Sequence, residues 1–400
     1  MIFEKVKLEE ICSSISDGDH QAPPKVNKGV PFVTISNITN TNQLDFSNTM
    51  FVPQEYYDKL DLKRKAQEGD ILYSVVGSFG IPVYIKETTP FVFQRHIAIL
   101  RPNVDKIVPE FLYYTMLNRD FYMKADAVAI GAAQRTISLT ALRNMDIDIP
   151  DIEKQKKIAK ILTAYDVLIE NNQKQIKLLE EVAERLYKEW FIDLHFPGYE
   201  DAEIVNGTPS LWTNTTIGSF IKLQSGYAFK SNSFDESGKY KIVTIKNVQD
   251  GEFDGKKVNR ISEIPDKMPS SCKLYDGDIL LSLTGNVGRV CSVVGDDYLL
   301  NQRVAKIVSK YPCYAYCLFR SNKMFCDMNN LANGAAQQNL SPIRTLDIKV
   351  TKPNEEILMM FELKLKPLMD KKILLRKEIS KTKQLRDLLL PKLMSGEIEV

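Results

Sequence analysis

The residues of this chain whose types and spacing could do chemistry are amides, lysines and arginines set beside glycine, and the chemistry they suit is recognition. Gln134-Arg135 closes the run Gly131-Ala-Ala-Gln-Arg, and Gln337-Gln338 closes the related run Gly334-Ala-Ala-Gln-Gln. Arg95 follows Gln94, and Arg303 follows Gln302. Ser36-Asn37 and Lys246-Asn247 each follow an apolar core, while Ser78, Asn286 and Arg289 lie in or beside the glycine turns 77–80 and 285–288. Lysine and arginine reach phosphates, and asparagine, glutamine and arginine hydrogen-bond base edges. Glycine lets a backbone approach a ligand closely. The candidate nucleic-acid contacts are therefore Asn37, Ser78, Arg95, Gln134, Arg135, Lys246, Asn247, Asn286, Arg289, Arg303, Gln337 and Gln338. Each is open to a plainer reading as a tight turn, a surface residue, a buried hydrogen-bonding group or a loop that closes the core.

Catalysis would need other residues. A base methyltransferase needs a Gly-rich loop for its methyl donor and an Asn/Asp-Pro-Pro-aromatic grip on a flipped base; Ala22-Pro23-Pro24-Lys25 does not qualify. Neither Gly-x-x-x-x-Gly-Lys-Ser/Thr nor Gly-x-Ser-x-Gly occurs. His20, His96 and His195 are far apart, and six dispersed cysteines form no Cys-x-x-Cys. No catalytic residue and no metal site is expected, and the thiols read as free in a reducing compartment.

The elements that must position these residues come in two copies. EGDILYSVVGSFG from Glu68 returns as DGDILLSLTGNVG from Asp276, VTISNI from Val33 as VTIKNV from Val243, Gln94-Arg95 as Gln302-Arg303, and GAAQRTIS as GAAQQNLS. Four matches in one order mean an internal duplication. Short runs of Val, Ile, Phe and Thr bounded by Gly, Pro, Asn and Asp predict strands, and VPEFLYYTMLNRDFYMKADAV and YAYCLFRSNKMFCDMNNLA predict helical segments. Each copy is thus a mixed α/β (α+β) domain, over 1–150 and 212–352, with a linker at 193–211.

After each copy the pattern changes. From Asp151 the chain runs to Trp190 without Gly or Pro, and alternating steps of four and three pick out Ile158, Leu162, Tyr165, Ile169, Asn172, Ile176, Leu179, Ala183, Leu186 and Trp190. That is a heptad seam. Aligning Pro150 with Pro353 gives a weaker one: Phe361, Leu365, Leu368, Lys372, Leu375, Ile379, Thr382, Arg386, Leu389 and Leu393. Helices over 151–192 and from 353 would each be about 60 Å long, too long to hide a seam against one domain, so each is the other's simplest partner. The connection 191–212 is too short to run back that distance and fold as well. An antiparallel two-helix coiled coil with pseudo-two-fold symmetry follows. It reads as an internal packing stem or as a ruler and docking surface for other subunits.

Apolar content of 44% and charged content of 26% are ordinary for a globular chain, and a formal charge of +2 neither requires nor excludes nucleic acid. No run of 18 apolar residues and no signal core occurs, so no membrane is expected and the location reads as cytoplasmic.

The duplicated motifs, each followed by a long helix, with SGYAFKS at 225–231 and LRDLLLPKLMSGEI at 385–398, resemble the specificity subunits of type I restriction-modification enzymes. The resemblance covers essentially the whole chain. It implies a non-catalytic, DNA-binding host-defence subunit with two target-recognition domains, each reading half of a split double-stranded DNA sequence. Its paired helices would dock two modification subunits, which bind S-adenosylmethionine and methylate adenine, and restriction subunits that use ATP and Mg to cleave DNA. The competing readings are a coiled-coil scaffold with peptide-binding heads and a stand-alone methyltransferase.

Overall fold

The computed structural model describes residues 3–20, 23–39, 41–131, 134–256, 258–332 and 338–400. They form two compact units, Met1–Leu168 with Thr382–Val400, and Ile169–Lys381.

In the first unit a four-stranded antiparallel sheet runs Cys12–Asp17, Ile97–Pro102, Ile71–Ser74, Pro82–Tyr84, and a smaller sheet sets Val30–Val33 between Met50–Val52 and Val92–Phe93. The second unit repeats this with Ile221–Ser225, Val304–Ser309, Ile279–Ser282 and Val290–Ser292, and with Tyr240–Val243 between Asn259–Ile261 and Tyr298–Leu300. The runs ILYS and ILLS are apolar up to their closing serine because both faces of the strand are buried. Their period of two still operates: Ile71 and Tyr73 face the helices while Leu72 faces the smaller sheet, and Ile279 and Leu281 oppose Leu280 in the same way.

Two of the short runs that predict strands are broken. FVFQRHIAIL splits into Val92–Phe93 and Ile97–Pro102, and LLNQRVAKIV is divided between the strands Tyr298–Leu300 and Val304–Ser309, because the chain turns at 94–96 and 301–303 to pass from the smaller sheet to the larger. The expected helical stretches likewise divide into Pro109–Leu117 and Arg119–Val128, and Pro312–Arg320 and Asn322–Leu331, with Asn118 and Ser321 extended between them.

The long helices are Ile152–Phe191 and Glu355–Ser395. Asp151 starts the first by accepting a hydrogen bond from the Lys154 amide at 3.0 Å, and the Lys154 ammonium, followed by that backbone bond, holds its carboxyl below the usual range. The second continues through Pro367 and Pro391, both on its exposed side. Within each unit the helices run antiparallel. In the first, Ile158 and Leu162 share the domain core with Leu390, Leu393 and Met394. In the second, Asn172 donates to Glu378 at 3.0 Å, Glu180 pairs with Lys372 at 2.6 Å, and Trp190 lies edge-on to Phe361 at 5.6 Å.

The seam residues Ile158, Leu162, Ile169, Ile176, Leu179, Leu186, Phe361, Leu365, Leu368, Leu375, Ile379 and Leu389 are all buried or half-buried. The polar departures are matched. Arg386 pairs with Asp166, which also accepts from the Tyr114 hydroxyl at 2.7 Å. Lys372 is only 1% exposed and donates to Glu180 and to the Tyr316 oxygen at 2.9 Å. Buried charge is tolerated only when paired and hydrogen-bonded in this way.

Candidate nucleic-acid interface

The repeated motifs first build their own scaffold. Asp70 accepts from the Gln67 amide at 2.8 Å and Asp278 from the Tyr275 amide at 2.9 Å, and each meets a cation on the next strand, Arg101 and Lys306, both at 2.8 Å. Ser74 and Ser282, fully buried, accept from the amides of Ile81 and Arg289 at 2.9 and 3.0 Å. The two glycine turns are then the same object, with φ of 72° and 87° at Gly77 and Gly80 and 73° and 82° at Gly285 and Gly288. Only glycine adopts that conformation without strain.

Past the buried strand, three loops converge in each unit. The Val75 amide donates to the His96 carbonyl, the Ile137 amide to the Val75 carbonyl, and the Gly77 amide to the Arg135 carbonyl, at 2.9, 2.9 and 3.0 Å. The second unit matches this with Leu283 to Arg303, Leu340 to Leu283, and Gly285 to Gln338, at 3.0, 2.8 and 3.0 Å. The glycine turn, the strand-crossing turn and the loop after the GAAQ run thus share one end of the main sheet. Ser78, Arg95 and Gln134 are exposed there in the first unit, and Asn286, Arg303 and Gln338 in the second. Lys246 is exposed on a neighbouring turn. Gln337 lies outside the described residues.

Several of the nominated side chains already have partners within the fold. Asn37 and Asn247 are buried and their amides are committed: each carbonyl oxygen accepts from the Thr34 or Thr244 amide, and each NH2 donates to the carbonyl of Asp45 or Asp254. Both side chains thus hold a loop. Arg135 and Arg289 are half-buried, Arg135 on Asp126 at 2.7 Å and Arg289 on the Gln249 side chain. The Gln-Arg pairs are also not equivalent. Strand ends align Gln94 with Asn301 and therefore His96 with Arg303, since Ile97 donates to Gln94 and Val304 to Asn301. Register follows backbone pairing, and the two identical dipeptides sit one residue apart.

Sequence reasoning missed the arms that cross this end of the sheet. A Cβ on Gly18 would lie 2.1 Å from the Phe93 carbonyl oxygen, and one on Gly226 2.3 Å from that of Asn301. Asp17-Gly18 and Ser225-Gly226, at matching places before the first smaller-sheet strand, were the available signal. Beyond them the copies diverge. The first has His20 on Asp17 at 2.6 Å and the Tyr56 hydroxyl donating to Asp19; burial and that carboxylate push Tyr56 up to about 12, so it stays a neutral donor. The second has Tyr227 edge-on to Phe229 at 5.2 Å. Gly18→Ala and Gly226→Ala should each destabilise the chain by about 1–3 kcal/mol, because backbone must move to admit the methyl. Urea denaturation measures this, and a neutral result would contradict the close crossing.

Two duplicated mixed domains each gather the same three loops, and each is completed by the ends of antiparallel helices. The family model "Type I restriction modification DNA specificity domain" matches residues 2–181 and 209–373, and the chain belongs to this family, the specificity subunits of type I restriction-modification systems. It is similar to the MjaIX specificity subunit of Methanocaldococcus jannaschii, at 27% identity over 321 residues covering 74% of this chain and 70% of the relative. It is also similar to the HindI specificity subunit of Haemophilus influenzae, at 24% identity covering 93% and 97%. The crystal structure of the S subunit from M. genitalium shares the fold, with a TM-score of 0.62 at 16% identity, covering 98% of this chain and 96% of that one.

Proposed function

We propose that this chain is the non-catalytic reading subunit of a cytoplasmic type I complex, in which each mixed domain reads one half of a bipartite double-stranded DNA target. The observation that carries the reading is the repeated convergence of three loops, with exposed Ser78, Arg95 and Gln134 in one unit and Asn286, Arg303 and Gln338 in the other. Phosphate contacts set position and base-edge contacts set sequence. Divergent arms beside a shared frame suit two domains that read different sequences.

The long helices dock two modification subunits and the restriction subunits. Exposed apolar side chains on their outer faces support this: Val167, Leu168 and Leu388 in the first unit, and Leu178, Leu363 and Leu374 in the second. S-adenosylmethionine, ATP and Mg belong to those partners. Among the described residues no helix is long and apolar enough to cross a membrane, and no group of three or more His, Cys, Asp or Glu side chains could hold a metal.

Genome-wide mapping of methylated adenines in cells with and without the chain tests the reading. A two-part methylated motif should appear only with it. Gln134→Ala should then reduce discrimination at one half of the motif by about 5- to 100-fold and leave the other half readable. Equal loss at both halves would sink the assignment of separate reading domains.

A further inference from the structure

The loop 249–252 of the second unit, next to the exposed Lys246, is held from three sides by arginine. Arg289, just before the strand Val290–Ser292, bonds the Gln249 side chain, which itself donates to the Lys246 carbonyl at 2.9 Å. Arg320, from the helix Pro312–Arg320, meets Asp250 at 3.1 Å. Arg376, from the second long helix, donates to the Gly251 carbonyl at 2.7 Å. The approach is close: Gly251 has φ of 69°, and a Cβ there would lie 2.9 Å from the Arg320 guanidinium. Arg320 is also bonded to Glu180 of the first long helix, and Glu180 to Lys372 of the second. A continuous chain of charge-assisted hydrogen bonds therefore runs from the paired helices to a loop beside the recognition surface.

We propose that Asp250, Arg320 and Arg376 are positioning residues for the second half-site: they seat the loop 249–252, and with it Lys246, on the helix pair, so that reading of that half depends on how the helices are joined. This rests on the reading that the second domain contacts DNA. Asp250 is well suited as the point of attachment, because it is exposed and its loss leaves the buried Glu180–Lys372 pair intact. An exposed pair contributes little to stability, so Asp250→Ala reports on the seating of the loop and not on the fold.

The test uses the full chain with its modification partners in cells, reading the methylated-adenine motif for wild type, Asp250→Ala, Asp250→Glu, the double variant Asp250→Ala/Arg376→Gln, and Gln134→Ala to mark the first half. Asp250→Ala should lower preference for the cognate bases of the second half by about fivefold, with the first half and the melting temperature unchanged. The double variant should lower it further, and Asp250→Glu should restore it. An unchanged motif in the double variant, or equal relaxation of both halves, would overturn the inference. Absence of a two-part motif in wild type would instead remove the DNA-reading proposal and this inference together.

Discussion

Glu180→Ala is expected to cost the unit Ile169–Lys381 about 3–5 kcal/mol, since it strands the Lys372 ammonium, 1% exposed, inside the helix pair. Lys372→Met should cost much less: the methionine fills the same space, and Glu180 keeps Arg320 and the Tyr316 hydroxyl at 2.9 Å. The difference between the two variants is the informative quantity, because it separates a stranded charge from lost packing. Acid should close the gap between wild type and Glu180→Ala. Burial by itself raises the Glu180 pKa, but Lys372 and then Arg320 outweigh it and hold the carboxyl below its ordinary 4.5. A depressed carboxylate stabilises the fold above its unfolded pKa, and that contribution is lost as pH falls through the lower folded value. Urea melts of both chains between neutral pH and about pH 3 measure the gap. A gap that stays constant into acid would show that the ionised form of Glu180 contributes nothing.

Phe361→Ala should be comparably damaging, by about 3–5 kcal/mol. Phe361 is fully buried, 5.6 Å from the Trp190 ring and 4.9 Å from Phe191, where the end of the first long helix meets the start of the second. The protein has two tryptophans, and both report on this cluster, since Trp212 lies 6.0 Å from Phe191. Intrinsic fluorescence therefore follows the unfolding of this unit directly. Leu363→Ala, two positions away on the same helix and 75% exposed, is the control and should change stability by less than about 0.5 kcal/mol. Similar losses in the two variants would mean that the seam does not bury Phe361 against the first helix.

Much of the architecture was legible before any coordinates because it depends on repetition and periodicity. The duplicated GDIL and glycine-turn runs became duplicated strands and turns, since identical local patterns meet identical backbone requirements. The heptad seam located the helix interface because residues spaced by three and four share one face whatever else surrounds them. Even its polar members were in place, although nothing in the second helix alone announced that Lys372 would find Glu180 and Tyr316.

The site was less legible. Residue type could nominate Asn37 and Asn247, but only the fold could show their amides already bonded within their own loops. Identity made Arg95 and Arg303 look equivalent, while hydrogen-bonded strand ends make Arg303 the counterpart of His96. The crossing arms at Gly18 and Gly226, and the three arginines around 249–252, join residues separated by up to 140 positions. Composition and local spacing determine what a segment can form by itself. Which polar groups remain for a ligand is decided by long-range pairing, because every buried donor and acceptor must first be satisfied within the fold.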